Sequence, residues 1–239
     1  MSDQTVSCYS SRLLIDYALS KGVDFSSFLL YLHTPYKDLV NNRKWMSVFD
    51  WVKLVKFVSG SVNMSIDQIG YDIVMGTAYN PTFRLLLLQI FPIYLMRKMR
   101  ITNTLFSNYV NRNQYAVLDA PTANSVTLRL FIKDKSLHAK ELCIYNKGVA
   151  KAILELRGHR GVEVEDLTCV STDVACDCCT YRMSWVSCNK EKGAALAIKL
   201  HRKLKKDQEA EDLPACILSD EELAVLFSAK DQGVAIVKK

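Results

Sequence analysis

The chain has 239 residues, of which 49% are hydrophobic and 23% charged, and its formal net charge is +6. A chain of this length and apolar content can bury a core without disulfides, as one large domain or two small ones, so disulfides are not required for folding. The N-terminus turns polar before any apolar run reaches signal-peptide form, so we expect a cytoplasmic protein whose clustered cysteines are metal ligands or redox groups.

Residues 1–80 are predicted to form a helical region. The segment SRLLIDYALSKG ends on Gly22, a natural helix stop. The segment VFDWVKLVKFV carries a broad apolar stripe made of Val48, Trp51, Val52, Val55 and Val58. A further helix is indicated by SIDQIGYDIVMG, with Ser65 as its N-cap and Gly76 as its stop.

Residues 81–190 are predicted to form an α+β region. It begins with a helix from Pro81 to about Arg100 that is bent or broken near Pro92. This helix contains the longest apolar stretch of the chain, LLLLQIFPIYLM, which is too short to span a bilayer. We therefore expect no membrane association.

After this helix the apolar period changes from near four to two. The segment SVTLRLFI alternates apolar and polar residues, and with YAVLDA before it predicts an antiparallel pair of strands within 115–133. The segment HAKELCIYNKGVAKAILELRGHRG fits a helix that ends near Gly158, and GVEVEDLTCV and CTYRMSWV indicate two more strands. The predicted order β-β-α-β-β is a helix on an antiparallel sheet, and the fold class is α+β.

Residues 191–239 are predicted to form a C-terminal helical extension. A helix at about 193–209 carries Leu196, Leu200 and Leu204 at four-residue intervals, which is typical of a connecting or dimer-forming helix, so we expect a homodimer. Its basic run HRKLKK is interpreted as a solvated helix face, so nucleic acid is not an expected partner. Ser219 and Glu222 have capping-box spacing before a last short helix.

The stretch CVSTDVACDCC, residues 169–179, contains four of the eight cysteines. A tetrahedral zinc site needs four converging ligands, and thiolate is a preferred one. The cysteine candidates are Cys143 in the predicted helix, Cys169 at the end of the third strand, and Cys176, Cys178 or Cys179 where the fourth begins. Asp166 is a candidate fourth ligand if a bulge turns its side chain. Thiols this close can instead oxidise or hold an iron–sulfur cluster, which is the less favoured alternative.

The residues from Cys143 to Trp185 resemble the C-terminal part of the vinyl-4-reductase-type (4-vinyl reductase) sensory domain of bacterial signalling proteins. Cys143, Gly148, Asp166, Cys169 and Trp185 match that family's pattern in order and approximate spacing. The resemblance covers roughly residues 8–187. Two departures are an aspartate where the family usually has glutamate, and a cysteine-rich turn about two residues longer than usual.

This resemblance implies a structural zinc ion bound by cysteines and the acidic residue. Carried onto this chain, the implied ligands are Cys143, Asp166, Cys169 and one cysteine of CDCC. Counting back from the aromatic residue that ends the strand favours Cys179, with Cys176 or Cys178 as alternatives.

The resemblance also implies a sensory domain that binds a small apolar or aromatic molecule between the helices and the sheet. The signal would pass through the helix at about 193–209 to an output protein or domain. Sequence marks the walls of such apolar pockets only weakly. The candidate lining residues are Phe83, Leu87, Phe91, Tyr94, Phe106, Tyr109 and Tyr145.

Two other classes of function remain open, beginning with a tetrapyrrole-related reductase or its accessory. Such chemistry needs a hydride donor, but the chain has no GxGxxG after a strand. His138 and His159 flank the predicted helix and are interpreted as surface histidines rather than proton donors, so a binding domain is favoured over an enzyme. The remaining class is a thiol or iron–sulfur redox sensor.

Overall fold

The computed structural model describes residues 4–26, 28–41, 43–76, 111–119, 122–173 and 175–189. The predicted helix at 81–100, the leucines at 196, 200 and 204 and the last short helix lie outside these ranges, so the homodimer and the three-part division of the chain stay predictions. In the part that is described, no helix is long and apolar enough to cross a membrane.

The N-terminal half is a layer of helices with a two-stranded sheet at its edge. Strand β1 (Gln4–Ser7) pairs antiparallel with β2 (Trp45–Ser47). Its helices are α1 (Cys8–Ser20), α2 (Tyr36–Leu39), α3 (Val48–Val62) and α4 (Ile66–Met75), and a 3-10 turn covers Phe28–Tyr31.

The ends of these helices follow the local sequence signals. Ser7 and Ser47 cap α1 and α3, because their hydroxyl oxygens accept hydrogen bonds from the backbone N–H groups of Tyr9 and Asp50. Gly22 follows α1 with a φ of 79°, a left-handed conformation that favours glycine. The expected stripe on α3 faces the core, except that Val52 is only half-buried.

The C-terminal half is a four-stranded antiparallel sheet with one helix. Its strands are β3 (Gln114–Leu118), β4 (Ser125–Ile132), β6 (Glu163–Thr168) and β7 (Cys178–Ser184), hydrogen-bonded in the order β3-β4-β7-β6. Helix α5 (Lys140–Leu156) lies between β4 and β6 along the chain. A two-stranded sheet pairs β5 (His159–Arg160) with β8 (Ser187–Cys188). The expected combination of helices with antiparallel strands is confirmed.

Helix α5 contacts both halves of the molecule. Leu142 and Tyr145 belong to the apolar core of the helical half, whereas Cys143, Ala150 and Leu154 belong to the core beneath the sheet. Because residues three and four apart lie on one side of a helix, neighbouring positions such as 142 and 143 face different cores. Helix α5 therefore holds Cys143 against the sheet while its other side packs on the helical layer.

Candidate functional site

Three cysteines and one histidine converge where α5 faces the sheet. Cys143 lies in the first turns of α5, Cys169 directly follows β6, Cys179 is the second residue of β7, and His138 precedes α5. One nitrogen or sulfur atom from each residue lies within 4.8 Å of all the others. We call these four residues the Cys–His cluster.

The distances within the Cys–His cluster are short on every side. The sulfur of Cys143 lies 3.3 Å from that of Cys179 and 3.7 Å from that of Cys169, and the sulfurs of Cys179 and Cys169 are 3.8 Å apart. His138 Nε2 lies 3.2 Å from the sulfur of Cys143 and 3.5 Å from that of Cys179. Three thiols and an imidazole in this arrangement can ligate a transition metal or exchange protons among themselves.

Hydrogen bonding and burial shift the pKa values of two cluster thiols in opposite directions. A hydrogen bond with Cys179, together with burial, raises the pKa of Cys143. Hydrogen bonds from Cys143 and His138 outweigh burial and lower the pKa of Cys179. The Tyr181 hydroxyl is buried beside Cys143, and burial raises the pKa of Tyr181.

The predicted ligand Asp166 lies outside the Cys–His cluster. It pairs with Tyr181 in the ladder between β6 and β7, two residues along β7 from Cys179. Its carboxylate oxygen Oδ2 accepts a hydrogen bond from Lys147 Nζ at 2.7 Å. The register irregularity between Asp166 and Thr168 does not bring the carboxylate to the thiols; the carboxylate lies at the sheet edge, where it pairs with Lys147 of α5.

Of the three candidate cysteines in the turn, the structure brings only Cys179 to the cluster. Cys178 is the preceding residue on the strand, so its side chain lies on the opposite face of the sheet, 3.5 Å from the hydroxyl of Thr180. The thiol of Cys176 donates a hydrogen bond to the carboxylate of Asp173 within the turn.

The interpretation of the two flanking histidines as surface residues is wrong. His138 is half-buried in the cluster, and a signal for it was available: a histidine five residues before Cys143, at the start of the predicted helix. His159 is 7% exposed and packs on Trp185 with ring centres 4.2 Å apart. Burial lowers the pKa of His159 to about 4.

A small cavity of about 20 Å³ lies near the cluster, between α1, α3, α5 and the start of β3. Of the predicted ligand-binding residues, only Tyr145 lies within the described ranges, and it lines this cavity together with Trp51 and Gln114. The side-chain nitrogen of Gln114 lies 3.3 Å from His138 Nδ1, so the cavity wall contacts the cluster. The other predicted lining residues, Phe83, Leu87, Phe91, Tyr94, Phe106 and Tyr109, lie outside the described residues.

Comparison with known proteins gives a fold and no sequence family. No family model matches the chain, and no curated protein is similar enough in sequence to match it. An H-NOX protein from S. oneidensis in the Fe(II) ligation state is 17% identical with a TM-score of 0.52, covering 74% of this chain and 94% of that one. The Fe(II)NO state of an H-NOX protein from S. oneidensis is 16% identical with a TM-score of 0.52, covering 73% and 96%. An unliganded Fe(II) H-NOX protein from K. algicida is 13% identical with a TM-score of 0.50, covering 76% and 97%.

These comparisons correct two expectations. They do not support the vinyl-4-reductase-type assignment, because the neighbours that they find are H-NOX proteins. The expected cofactor, a structural zinc ion with an iron–sulfur cluster as the less favoured alternative, is wrong, because neighbours described in Fe(II) states point to heme. The chain has the H-NOX fold.

Proposed function

We propose that the chain is a sensory domain with an H-NOX-like fold, which binds a small ligand and signals to an output partner. H-NOX domains are heme-binding sensory domains of bacterial signalling, and the fold likeness extends over about three quarters of this chain. The apolar character of the ligand, transmission through the helix at 193–209 and assembly as a homodimer are parts of this proposal. Its three parts are residues 1–80, 81–190 and 191–239.

Heme is the cofactor that the neighbours suggest, but the described histidines do not fit it. An imidazole that ligates heme iron must be free to face the porphyrin. His33 is at the surface beside Asp50, His138 is held among the thiols, and His159 packs against Trp185. The half-buried His138 and the buried His159 are thus packed against other side chains and are not placed to ligate heme.

The convergence of four donor atoms supports a second part of the proposal. We infer that Cys143, Cys169, Cys179 and His138 bind one thiophilic transition-metal ion. Tetrahedral bonds of about 2.3 Å to sulfur place two sulfurs about 3.8 Å apart. Cys169 lies 3.7 Å and 3.8 Å from the other two sulfurs, whereas the sulfurs of Cys143 and Cys179, at 3.3 Å, would have to separate slightly. His138 is then the fourth ligand, for which the sequence had suggested Asp166.

A bound ion would join parts of the chain that are far apart in sequence. The ligands come from the segment before α5, from α5 itself and from the ends of β6 and β7 that flank the turn. Ligand exchange at the cluster would therefore move α5 relative to the sheet, and α5 also packs on the helical layer. This contact is a route by which the site can affect the rest of a sensory domain.

The test is a titration of the reduced, metal-free chain with Cd²⁺, followed by the near-ultraviolet absorption of the metal–thiolate bonds. We expect one ion per chain. Because second-shell losses alone weaken metal sites by about 10- to 100-fold, Cys143→Ser and Cys169→Ser should each weaken binding by at least about 100-fold. Cys178→Ser is the matched control, since its side chain lies on the other face of the sheet, and Asp166→Asn tests the original ligand. Equal binding by Cys143→Ser and Cys178→Ser would contradict the proposal.

The same titration distinguishes metal binding from thiol redox sensing. Redox sensing is also favoured by the distance of 3.3 Å between the sulfurs of Cys143 and Cys179. A disulfide between these two residues removes two of the four donors. Chain purified without reductant would then bind Cd²⁺ only after reduction, whereas a resident metal site binds it after removal of the metal alone.

A further inference from the structure

Gln114 is the residue that links the Cys–His cluster to the small cavity. It is the first residue of β3, is 1% exposed, and pairs with Ile132 in the ladder with β4. Its amide contacts His138 Nδ1 on one side, and its side chain forms part of the cavity wall with Trp51 and Tyr145 on the other. A change in the hydrogen bonding of this amide therefore affects both His138 and the cavity wall.

The orientation of the Gln114 amide is coupled to the tautomer of His138. In a neutral imidazole one ring nitrogen carries the proton and the other accepts. Gln114 Nε2 lies 3.3 Å from Nδ1, and when this amide donates, Nδ1 is the acceptor and Nε2 carries the proton. Nε2–H can then donate to the sulfur of Cys143 at 3.2 Å or to that of Cys179 at 3.5 Å.

If the cluster binds a metal ion, as proposed above, the ring proton of His138 must be on the other nitrogen. Nε2 must give its lone pair to the ion, so the ring proton moves to Nδ1, and Nδ1–H then needs an acceptor. The amide of Gln114 has an oxygen at its other end, and rotation about its last side-chain bond brings that oxygen to Nδ1.

We propose that Gln114 is the positioning residue for His138 and that its amide reverses when the Cys–His cluster takes up a metal ion. Metal-ligating histidines are generally held by an acceptor on their second nitrogen, which fixes the ring and raises its basicity. Gln114 supplies that acceptor and holds the ring with Nε2 toward the three sulfurs.

The reversal has a consequence at the cavity. Its wall also contains Asn111, which is 2% exposed and whose side-chain nitrogen has no hydrogen-bond partner among the described residues. A volume of about 20 Å³ holds roughly one water-sized molecule. Because Gln114 is a wall residue, the polar atoms offered to that molecule differ between the metal-free and the loaded state. A water-sized ligand with a hydrogen-bond acceptor thus binds the two states unequally, and by linkage affects metal affinity.

The first test measures Cd²⁺ affinity of the reduced full chain by competition with a chromophoric chelator. Gln114→Leu removes the acceptor at similar volume and should lower affinity by about 10- to 100-fold. Gln114→Glu keeps an acceptor for Nδ1–H and should retain most of the affinity. Gln68→Leu is the matched control, because this amide donates to Asp72 on the exposed side of α4 and lines neither the cavity nor the cluster, and we expect it to leave the affinity unchanged.

The second test uses the wild-type chain and needs no variant. Nitrogen-15 NMR of His138 should show the proton on Nε2 in the metal-free chain and on Nδ1 after addition of Cd²⁺. A proton on the same nitrogen in both states overturns the proposal, as does Gln114→Leu binding Cd²⁺ as tightly as wild type. Absence of Cd²⁺ binding by wild type would instead overturn the metal site itself, so the two failures are distinguishable.

Discussion

The role of each cysteine at the start of β7 is decided by the face of the sheet on which it lies. Leu130 on β4 pairs with Cys179 and Phe131 pairs with Cys178, so alternation places Cys179 beneath α5 and Cys178 on the outer face. A slip of one residue in this register would exchange the two thiols. At this scale, the hydrophobic pattern of β4 determines which sulfur reaches the cluster.

Asp50 is a buried carboxylate in the helical half. Its side chain is 1% exposed and accepts hydrogen bonds from the backbone N–H groups of His33 and Thr34 and from the hydroxyl of Thr34. Burial raises the pKa of Asp50, but the hydrogen bonds from Thr34 and His33 outweigh it, so the net pKa is lowered. The carboxylate thereby anchors the loop at 33–34 to the first turn of α3.

We expect Asp50→Asn to destabilise the chain at pH 7 by about 1–3 kcal/mol, because it leaves buried donors without a charged acceptor. Because the pKa of Asp50 is lowered in the folded state, its carboxylate stabilises the fold at any pH above the ordinary carboxyl pKa of 3.8. This stabilisation is lost as the pH falls through the lowered pKa of the folded state. Urea denaturation at pH 7 and below pH 3.8 measures this. The difference between wild type and variant should shrink at the lower pH, while the surface variant Asp16→Asn should change stability little; a constant difference would contradict the assignment.

At the scale of elements, the packing of α4 against α5 depends on two glycines. A Cβ atom on Gly148 would lie 2.8 Å from the backbone nitrogen of Tyr71, and one on Gly70 would lie 3.3 Å from the ring of Tyr145. The two helices therefore approach with backbone against backbone. This contact fixes how closely α5 packs on α4.

Gly148→Ala should destabilise the chain by about 1–3 kcal/mol or more, because backbone atoms of α4 cannot move aside as a side chain can. Gly60→Ala is the matched control within α3, where the added methyl meets nothing within 4 Å. It should stabilise the chain by about 0.5–1 kcal/mol, because alanine loses less backbone entropy than glycine on folding. Thermal and urea unfolding compare the pair, and equal effects of the two changes would argue against the close helix contact.

At the scale of the whole molecule, the fold likeness and the placement of the described histidines suggest different bound groups. The fold is shared with H-NOX proteins described in Fe(II) states, yet His138 and His159 pack against other side chains. Similar folds carry different sites, so the fold alone does not decide which group is bound.

A titration of the full chain with hemin distinguishes these two readings. We expect wild type and His138→Ala to give the same change in the Soret absorption, because His138 is held by Cys143 and Gln114 and is not available to iron. His33→Ala, at an exposed position, is the control. Loss of a Soret band specifically in His138→Ala would mean that the imidazole leaves the thiols for iron, and the proposed metal cluster would then be wrong.

The sequence by itself determined the local elements. The stop at Gly22, the helix between Ser65 and Gly76, the alternating strand Ser125–Ile132 and the helix bearing Cys143 all follow from period and caps, because these signals act between neighbours in the chain. The grouping of Cys143 with Cys169 and Cys179 was also predicted, from a resemblance in residue order.

Only the tertiary structure decided which fourth group joins the thiols. Asp166 and His138 are both close to the cysteines in sequence, but the ladder register and Lys147 hold Asp166 at the sheet edge, whereas the segment before α5 turns His138 inward. A one-residue shift in register changes such an outcome without changing any local pattern. For the same reason, the link from Gln114 to His138 could not be predicted: the two residues are 24 positions apart and meet only because β3 pairs with β4.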